Sequence, residues 1–186
     1  VHEYLLLNKP PAIVTTAADP QGRTTVLDLL PGDLRERRPF PVGRLDFFSQ
    51  GLLLLTTDGD LAHRLTHPRW HLPKVYHVLV RGRVEPQHLE HMAQGMRLAE
   101  GEQLAPVQAR ILEQRPSHRA TLLEMTLIQG INRQIRRMCR DLELQILTLT
   151  RVRQGPVALG DLPQGQWRRL LPAEVQALRR AVRLAD

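Results

Sequence analysis

The sequence has few cysteines, few aromatic residues and no long hydrophobic run. Cys139 is the only cysteine among 186 residues, which excludes an intramolecular disulfide, a cysteine-built zinc site and a redox pair of cysteines. Apolar runs such as residues 52–55 are far shorter than the roughly 20 residues that a membrane-spanning helix needs. Aromatic residues make up 4% of the chain, too few to bind single-stranded nucleic acid by repeated stacking. We therefore expect a soluble protein of the reducing cytoplasm, with no membrane contact.

Positive charge, in contrast, is present in excess. The chain has 26 lysine and arginine residues against 19 aspartate and glutamate residues, a formal net charge of +7. Only Lys9 and Lys74 are lysines, and all the other cationic side chains are arginines. A guanidinium group can bind phosphate with two hydrogen bonds and can stack on bases. The composition therefore favours a polyanionic partner, above all a nucleic acid.

Hydrophobic periodicity predicts strands that are interrupted by helices. The predicted strands cover residues 4–7, 52–57, 75–80, 107–112, 121–128 and 145–152. The predicted helices cover residues 60–65, 87–94 and 132–142, and a last one follows Pro172. We expect Asp60 to cap the first helix, and Leu89, Met92, Ala93 and Met96 to form the core face of the second. Residues 19–41 are expected to be mostly surface connection, with a brief helical stretch at residues 25–30. This order favours an α+β fold with a central, mainly antiparallel or mixed β-sheet and flanking helices.

The helix over residues 132–142 has two different faces. Its apolar stripe contains Ile135, Met138, Cys139 and Leu142. Its opposite face contains Arg133, Arg137 and Arg140. Arg136 lies at the edge between the faces, where its guanidinium could pair with a buried carboxylate. Such a helix is either a solvated basic surface or an anion site, and the turn that precedes it favours the anion site.

Asp46 lies in a glycine-bounded loop directly before the apolar run at residues 52–57. A loop beside rigid structure is a common place for reactive groups. Taken alone, however, Arg44 and Asp46 in this spacing are more typical of a turn or a surface ion pair. A function for Asp46 can therefore be predicted only together with the motifs that surround it.

Several short motifs follow one another along the chain in a fixed order. They are Leu6-Leu7-Asn8-Lys9-Pro10, Gly43-Arg44-Leu45-Asp46, Ser49-Gln50-Gly51-Leu52, Leu55-Thr56-Thr57-Asp58-Gly59, Lys74-Val75-Tyr76, QGINRQIRRM at residues 129–138, and Gly165-Gln166-Trp167-Arg168. Together they resemble the RsuA-type bacterial ribosomal RNA pseudouridine synthases, and the resemblance extends over essentially the whole chain. Residues 132–137 are more similar to the enzymes of the large-subunit ribosomal RNA than to the small-subunit enzyme.

The resemblance implies a pseudouridine synthase fold with a basic catalytic cleft, which isomerises a uridine of structured RNA without a cofactor or a metal ion. By position, Asp46 matches the essential aspartate, Tyr76 the tyrosine that packs against the target base, and Arg136 the basic partner of the aspartate. The expected substrate contacts are Arg44, Lys74, Asn132, Arg133, Arg137, Arg140, Leu149 and Arg151, with Leu149 as an apolar wall of the pocket. The expected partner is a stem-loop of ribosomal RNA, free or within a ribosomal subunit or precursor, and the expected state is a monomer.

Two departures from the family pattern stand out. The first synthase motif begins within the first ten residues, so we expect one catalytic domain over residues 1–186, or two subdomains around a cleft, and no N-terminal RNA-binding domain of the S4 type. Where the family often has a glycine after the arginine helix, this chain has Glu143 and its neighbours, which leaves the local turn open.

Three alternative functions compete with this interpretation. A noncatalytic RNA-binding or ribosome-assembly factor could keep the same fold and the same basic cleft. A glycosidase would need a second carboxylic acid in a comparable loop, and the sequence offers none that is convincing. His63, His67 and His71 recur every four residues, but Pro68 interrupts their helix and no cysteine or carboxylate completes a metal site.

Overall fold

The computed structural model describes residues 1–185, and for His118 the backbone alone. The strands are β1 (Tyr4–Lys9), β2 (Phe40–Pro41), β3 (Gln50–Thr56), β4 (Lys74–Arg81), β5 (Gln108–Arg115), β6 (Ala120–Leu127), β7 (Ile146–Gln154), β8 (Val157–Ala158) and β9 (Trp167–Arg169). The α-helices are α1 (Gly32–Glu36), α2 (Gly59–Thr66), α3 (Pro86–Gln94), α4 (Gln134–Asp141) and α5 (Pro172–Ala181). Short 3₁₀ turns cover Val26–Leu29, Pro68–Trp70 and Pro116–His118. Within residues 1–185, none of the helices has the length and apolar character that crossing a membrane requires.

The chain divides into two compact units. Unit 1 contains Val1–Leu72 and the described residues from Arg151 onward, and unit 2 contains Pro73–Thr150. The division falls within β7, whose first residues belong to unit 2 and whose last residues belong to unit 1.

Unit 1 is built on strands in the order β7-β3-β1-β9, with β2 also paired with β3 and β8 with β7. β1 runs antiparallel to β3 in a register that places Leu6 opposite Leu54 and Lys9 opposite Gly51. Nearly every residue of β3 is buried, as expected for a strand covered on both faces. One core cluster joins this sheet to the helices through Leu54, Leu61 and Leu178. The loop that carries Asp46 enters β3 directly, so that it is attached to the most buried strand of the unit.

Unit 2 has the strand order β5-β6-β4-β7, and β6 runs antiparallel to both β4 and β5. Alternate side chains of β4 and β6, such as Val78 and Leu123, point into its core. The apolar face of α4 contributes Ile135, Met138 and Cys139 to the same core. Burial of that face therefore fixes which side of α4 remains at the surface.

The predicted fold class is confirmed, and the differences from the predictions are local. Asp58, and not Asp60, caps α2, because its Oδ1 accepts a hydrogen bond from the backbone N–H of Leu61 (3.2 Å) while Asp60 already lies in the first turn. Ala93 is exposed, so the core face of α3 is narrower than predicted. Residues 19–41, predicted as mostly surface connection, contain α1 and β2. These two elements are too short for a hydrophobic period to show in the sequence.

Candidate active site

Asp46 lies in a loop that is held against unit 1 by hydrogen bonds to its backbone. The ammonium of Lys9 donates to the carbonyl oxygens of Asp46 (3.2 Å), Phe47 (3.3 Å) and Ser49 (2.7 Å), and to that of its neighbour Pro10 (3.1 Å). A further hydrogen bond to the carbonyl of Phe47 comes from the backbone N–H of Ala12 (2.7 Å). The loop is therefore fixed at several successive residues, which positions the side chain between them.

The carboxylate of Asp46 is itself oriented within the loop. Its Oδ1 accepts hydrogen bonds from the backbone N–H of Ser49 (2.9 Å) and from the Ser49 hydroxyl (2.7 Å). Hydrogen bonds of this kind stabilise the ionised form of an acid over the protonated one. The side chain is half-buried, so the carboxylate is neither fully solvated nor removed from contact with a substrate.

Lys9 supports the backbone of the Asp46 loop, a structural role that the sequence analysis did not assign to it. Its side chain is 0% exposed, although it carries a full charge. A buried ammonium needs several hydrogen-bond acceptors, and the four carbonyl groups provide them. The signal in the sequence was the scarcity of lysine, because Lys9 is one of only two in a chain that otherwise uses arginine. A compact ammonium fits among converging carbonyls, whereas a planar guanidinium would not.

Tyr76 lies in β4 of unit 2, opposite Met125 of β6. It is half-buried and packs against the core cluster that also contains Ile135 of α4 and Leu149 of β7. Leu149 is 5% exposed and belongs to the core, and its role as an apolar wall of the pocket stays a prediction. The structure therefore brings Tyr76, Leu149 and the arginine helix to one core.

The helix α4 presents Arg136 at the edge of its buried face, as predicted. Arg136 is half-buried, and its neighbour Cys139 is completely buried. Burial raises the pKa of the Cys139 thiol to about 12, and the positive charge of Arg136 opposes this shift only in part. The thiol therefore stays protonated at neutral pH, and Cys139 is a small core residue, as the sequence indicated.

The turn after α4, which the sequence left open, forms without glycine. Glu143 takes the left-handed conformation with φ of 59°. The next residue, Leu144, donates its backbone N–H to the carbonyl of Cys139 (2.8 Å) and buries its side chain. This is the usual way to end a helix, with glutamate at the position where glycine is preferred.

Two arginines of α4, the half-buried Arg137 and the exposed Arg140, have carboxylate partners within unit 2. Arg137 donates to Glu102, and its Nη2 also lies 3.4 Å from Glu100 Oε1. Arg140 holds Glu100 with two hydrogen bonds (2.9 and 2.7 Å), and these lower the pKa of Glu100 to about 2. Asn132 and Arg133 precede the helix and are exposed, Arg133 with φ of 53°. The predicted cationic face is therefore largely paired with acids, and its contact with phosphate stays a prediction.

The other predicted contact residues differ in exposure. Arg44 is exposed at the start of the Asp46 loop, and Lys74 is half-buried at the start of β4. Arg151 is only 3% exposed and donates from Nε to the carbonyl of Leu52 in β3 (2.8 Å), while its buried Nη2 has no hydrogen-bond partner among the described residues 1–185. Arg151 therefore supports β3, and its contact with RNA also stays a prediction.

Asp46 belongs to unit 1, whereas Tyr76 and Arg136 belong to unit 2. Their convergence on one base thus stays a prediction. Among residues 1–185, no three histidine, cysteine, aspartate or glutamate side chains are grouped as a metal ion would require. What unit 1 provides for chemistry is an oriented carboxylate on a fixed loop, and what unit 2 provides is an aromatic and apolar wall beside a basic helix.

Comparison with known proteins identifies the family. A family model described as RNA pseudouridylate synthase matches residues 3–141. A protein of Aquifex aeolicus (strain VF5) named as an uncharacterized RNA pseudouridine synthase is 42% identical over 182 residues, which are 97% of this chain and 71% of that protein. Ribosomal large subunit pseudouridine synthase B of Bacillus subtilis (strain 168) is 36% identical over 176 residues, 95% of this chain and 71% of that protein. A crystal structure of a pseudouridylate synthase matches with a TM-score of 0.86 at 30% identity and covers 96% of this chain and 74% of that one. The chain therefore belongs to the RNA pseudouridylate synthase family.

Proposed function

We propose that this chain isomerises a specific uridine of large-subunit ribosomal RNA to pseudouridine, with Asp46 as the attacking group. The observation that carries the proposal is the loop of unit 1, in which Lys9 fixes the backbone and Ser49 orients the carboxylate of Asp46. A side chain that only formed a turn would not need a buried ammonium beneath it. The choice of RNA rests on relatives that are named as large-subunit synthases.

The reaction needs a nucleophile and no external reactant. The bond between N1 of the base and C1′ of the ribose breaks, and a bond between C5 and C1′ forms. The proton on C5 leaves, and N1 gains a proton, so that atoms and electrons balance without an oxidant or a cofactor. Asp46 acts on C1′ of the ribose or on C6 of the base, because either attack releases the base for rotation.

The residues of unit 2 complete this proposal. The target nucleotide leaves its stack and enters the site, where Tyr76 offers a flat face to the base and Leu149 excludes water. The guanidinium of Arg136 pairs with Asp46 and keeps its carboxylate ionised. Tyr76 also brings a hydroxyl to the side of the base where the C5 proton must leave.

The partner is a stem-loop of ribosomal RNA, free or within a ribosomal subunit or precursor, and the protein acts as a monomer in the cytoplasm. The net charge of +7 supports this partner, because phosphate neutralisation supplies most of the affinity of a basic protein for RNA. Arg44, Lys74, Asn132 and the arginines of α4 are the residues through which the chain would hold the backbone around the flipped nucleotide.

The substitution Asp46→Asn tests this function. It keeps the size of the side chain and the hydrogen bonds of Ser49 to an oxygen, but removes the nucleophile. We expect tritium release from 5-tritiated uridine in ribosomal RNA to fall by at least about a thousandfold. Substrate binding would remain, but the group that forms the covalent bond in the reaction would be lost. Binding to the same RNA should be largely retained.

The matched control is Asp33→Asn, which makes the same change at an exposed residue of α1 in the same unit. It should release tritium at the wild-type rate. Unchanged release in Asp46→Asn would remove Asp46 from catalysis. Absence of release in the wild-type protein, with RNA binding intact, would favour the noncatalytic RNA-binding factor instead.

A further inference from the structure

A second cationic site lies in unit 1 at the end of α2, away from the Asp46 loop in sequence. A cavity of about 260 Å³ is lined there by His63, Arg64, His67, Arg69 and Trp70. Two of these residues belong to α2, and two belong to the 3₁₀ turn Pro68–Trp70 that follows it. Its histidines do not form a metal site with any of residues 1–185, and the proposed reaction does not use the cavity.

The charge of this cavity differs from that of the α4 surface. Its lining contains two guanidinium groups and two imidazoles, and within residues 1–185 no acidic residue contributes to it. In the same part of the chain, neither Arg64 nor Arg69 forms an ion pair. Arg137 and Arg140 of α4, in contrast, are bound to Glu100 and Glu102. Because no carboxylate in the described part of the lining neutralises these cationic groups, they can attract an anion from solution.

Trp70 and the end of α5 hold the guanidinium groups in place. The Cζ atoms of Arg64 and Arg69 each lie 5.2 Å from the centre of the Trp70 ring. Arg64 Nη1 also donates to the carbonyls of Val182 (2.8 Å) and Arg183 (2.9 Å), where α5 ends. Stacking uses the face of a guanidinium and leaves the N–H edge of the exposed Arg69 able to donate to phosphate oxygens. Arginines held in this way lose less side-chain entropy when an anion binds.

The site is open and half-exposed at Trp70, while His63, His67 and Arg69 are exposed. Such a site suits one or two groups of an extended polyanion better than a small molecule, which would need an enclosed pocket. We propose that this cavity, the Trp70 site, binds the phosphodiester backbone of the substrate RNA outside the nucleotide that is isomerised. The proposal rests on the proposed function for the identity of the RNA.

The test uses Trp70 as its own reporter. The chain has two tryptophans, so the substitution Trp167→Phe leaves Trp70 as the single fluorophore. In this background, in vitro transcribed large-subunit ribosomal RNA should change the Trp70 emission with the same half-saturation as binding measured by filter retention. Arg69→Ala should weaken binding by roughly three- to tenfold and reduce the slope of log K against log salt by about 1, as expected when one phosphate contact is lost.

The controls separate the site from a general charge effect. Arg35→Ala removes the same charge from an exposed residue of α1 in unit 1, and it should keep the wild-type salt slope. Arg69→Lys should recover part of the affinity, because the charge remains while the planar stacking is lost. In Arg69→Ala, tritium release should show a higher KM with an unchanged kcat, since the reacting base is not contacted.

Three results would overturn the proposal. One is an Arg69→Ala variant that binds RNA with wild-type affinity and slope while tritium release is normal. The second is an unchanged Trp70 emission at RNA concentrations that saturate binding. The third is an equal response of Trp70 to poly-L-glutamate at matched charge, which would indicate an acidic protein as the partner. Failure of the proposed function is a different observation, the absence of tritium release in the wild-type protein.

Discussion

The loop that carries Asp46 and the helix that carries Arg136 use charged groups in opposite ways. In the loop, one completely buried ammonium, that of Lys9, binds four backbone carbonyls. On the helix, Arg140 binds Glu100 in an exposed ion pair, and Arg137, whose side chain is 15% exposed, binds Glu102. A buried charge with its hydrogen bonds is costly to disrupt, whereas an exposed ion pair contributes little to folding. The comparison indicates that the loop depends on Lys9 for its structure, while the helix depends on its apolar face.

This difference also explains why net charge is a poor guide to the RNA-binding surface. The arginines of α4 form the densest basic segment of the sequence, yet their carboxylate partners reduce the field that they present to RNA. The Trp70 site has fewer cationic groups but no acidic residue in its lining within residues 1–185. Charge that is available to a polyanion is therefore set by tertiary partners and not by the local count.

The largest expected effect comes from removing the buried ammonium. In Lys9→Met, four carbonyl groups lose their common donor, while the apolar stem is replaced by one of similar length. We expect a loss of about 3 to 5 kcal/mol in the free energy of unfolding, since a buried donor that four carbonyls share is removed, although Phe47 and Asp46 keep hydrogen bonds from the backbone N–H groups of Ala12 and Ser49. Urea denaturation, with the midpoint and the slope m both measured, checks this expectation.

The substitution Lys9→Arg distinguishes geometry from charge. The larger planar guanidinium cannot direct its donors to four carbonyls around one point, so we expect it to be destabilising as well. Wild-type stability in Lys9→Met would contradict the conclusion that the Asp46 loop depends on Lys9 for its structure. Wild-type stability in Lys9→Arg alone would show that charge, and not the shape of the ammonium, is what the loop requires.

An intermediate effect is expected on the helix surface, in RNA affinity rather than in stability. Glu102→Gln removes the carboxylate that Arg137 holds, and it should strengthen binding of ribosomal RNA about two- to fivefold at low salt, because an anion that competes with phosphate is lost. The melting temperature should fall only slightly, because the Arg137 side chain is 15% exposed but glutamine still offers it an acceptor oxygen. Filter binding over a series of KCl concentrations measures the effect.

Glu113→Gln is the matched control for this prediction. Glu113 pairs with Arg115 of β5 in the same unit (3.2 Å), so the substitution makes the same change in net charge away from α4. It should leave RNA affinity nearly unchanged. An equal gain in both variants would show that only the net charge matters and that Arg137 has no particular role.

The sequence predicted most of the framework and less of the site. β3 and α4 were predictable, because an unbroken apolar run and a two-faced helix leave clear patterns. The burial of Lys9 was not, since the scarcity of lysine singles out the residue but does not show which carbonyls surround it. The acids that bind Arg137 and Arg140 lie 35 and 40 residues earlier in the chain, and only tertiary structure brings them together.

The smallest expected effect concerns the end of α4, where the sequence departs from the family pattern. Glu143 has φ of 59° and no glycine to relieve the conformation. Glu143→Gly should raise the free energy of unfolding by about 0.5 to 1 kcal/mol, because the strain of a side chain in the left-handed region exceeds the added entropy of glycine in the unfolded chain. Glu143→Ala, which keeps the Cβ atom, should give no such gain.

The end of α5 in unit 1 offers an independent repeat of this test. Arg183 has φ of 53°, and Leu184 donates its backbone N–H to Arg179 as Leu144 does to Cys139. Arg183→Gly should therefore give a gain similar to that of Glu143→Gly in the same urea denaturation. A gain at Arg183 without one at Glu143 would mean that the Glu143 side chain contributes to the α4 surface and offsets its strain. The end of α5 would then be determined by its backbone conformation, as the Asp46 loop is, and the end of α4 by the charged side chains on its surface.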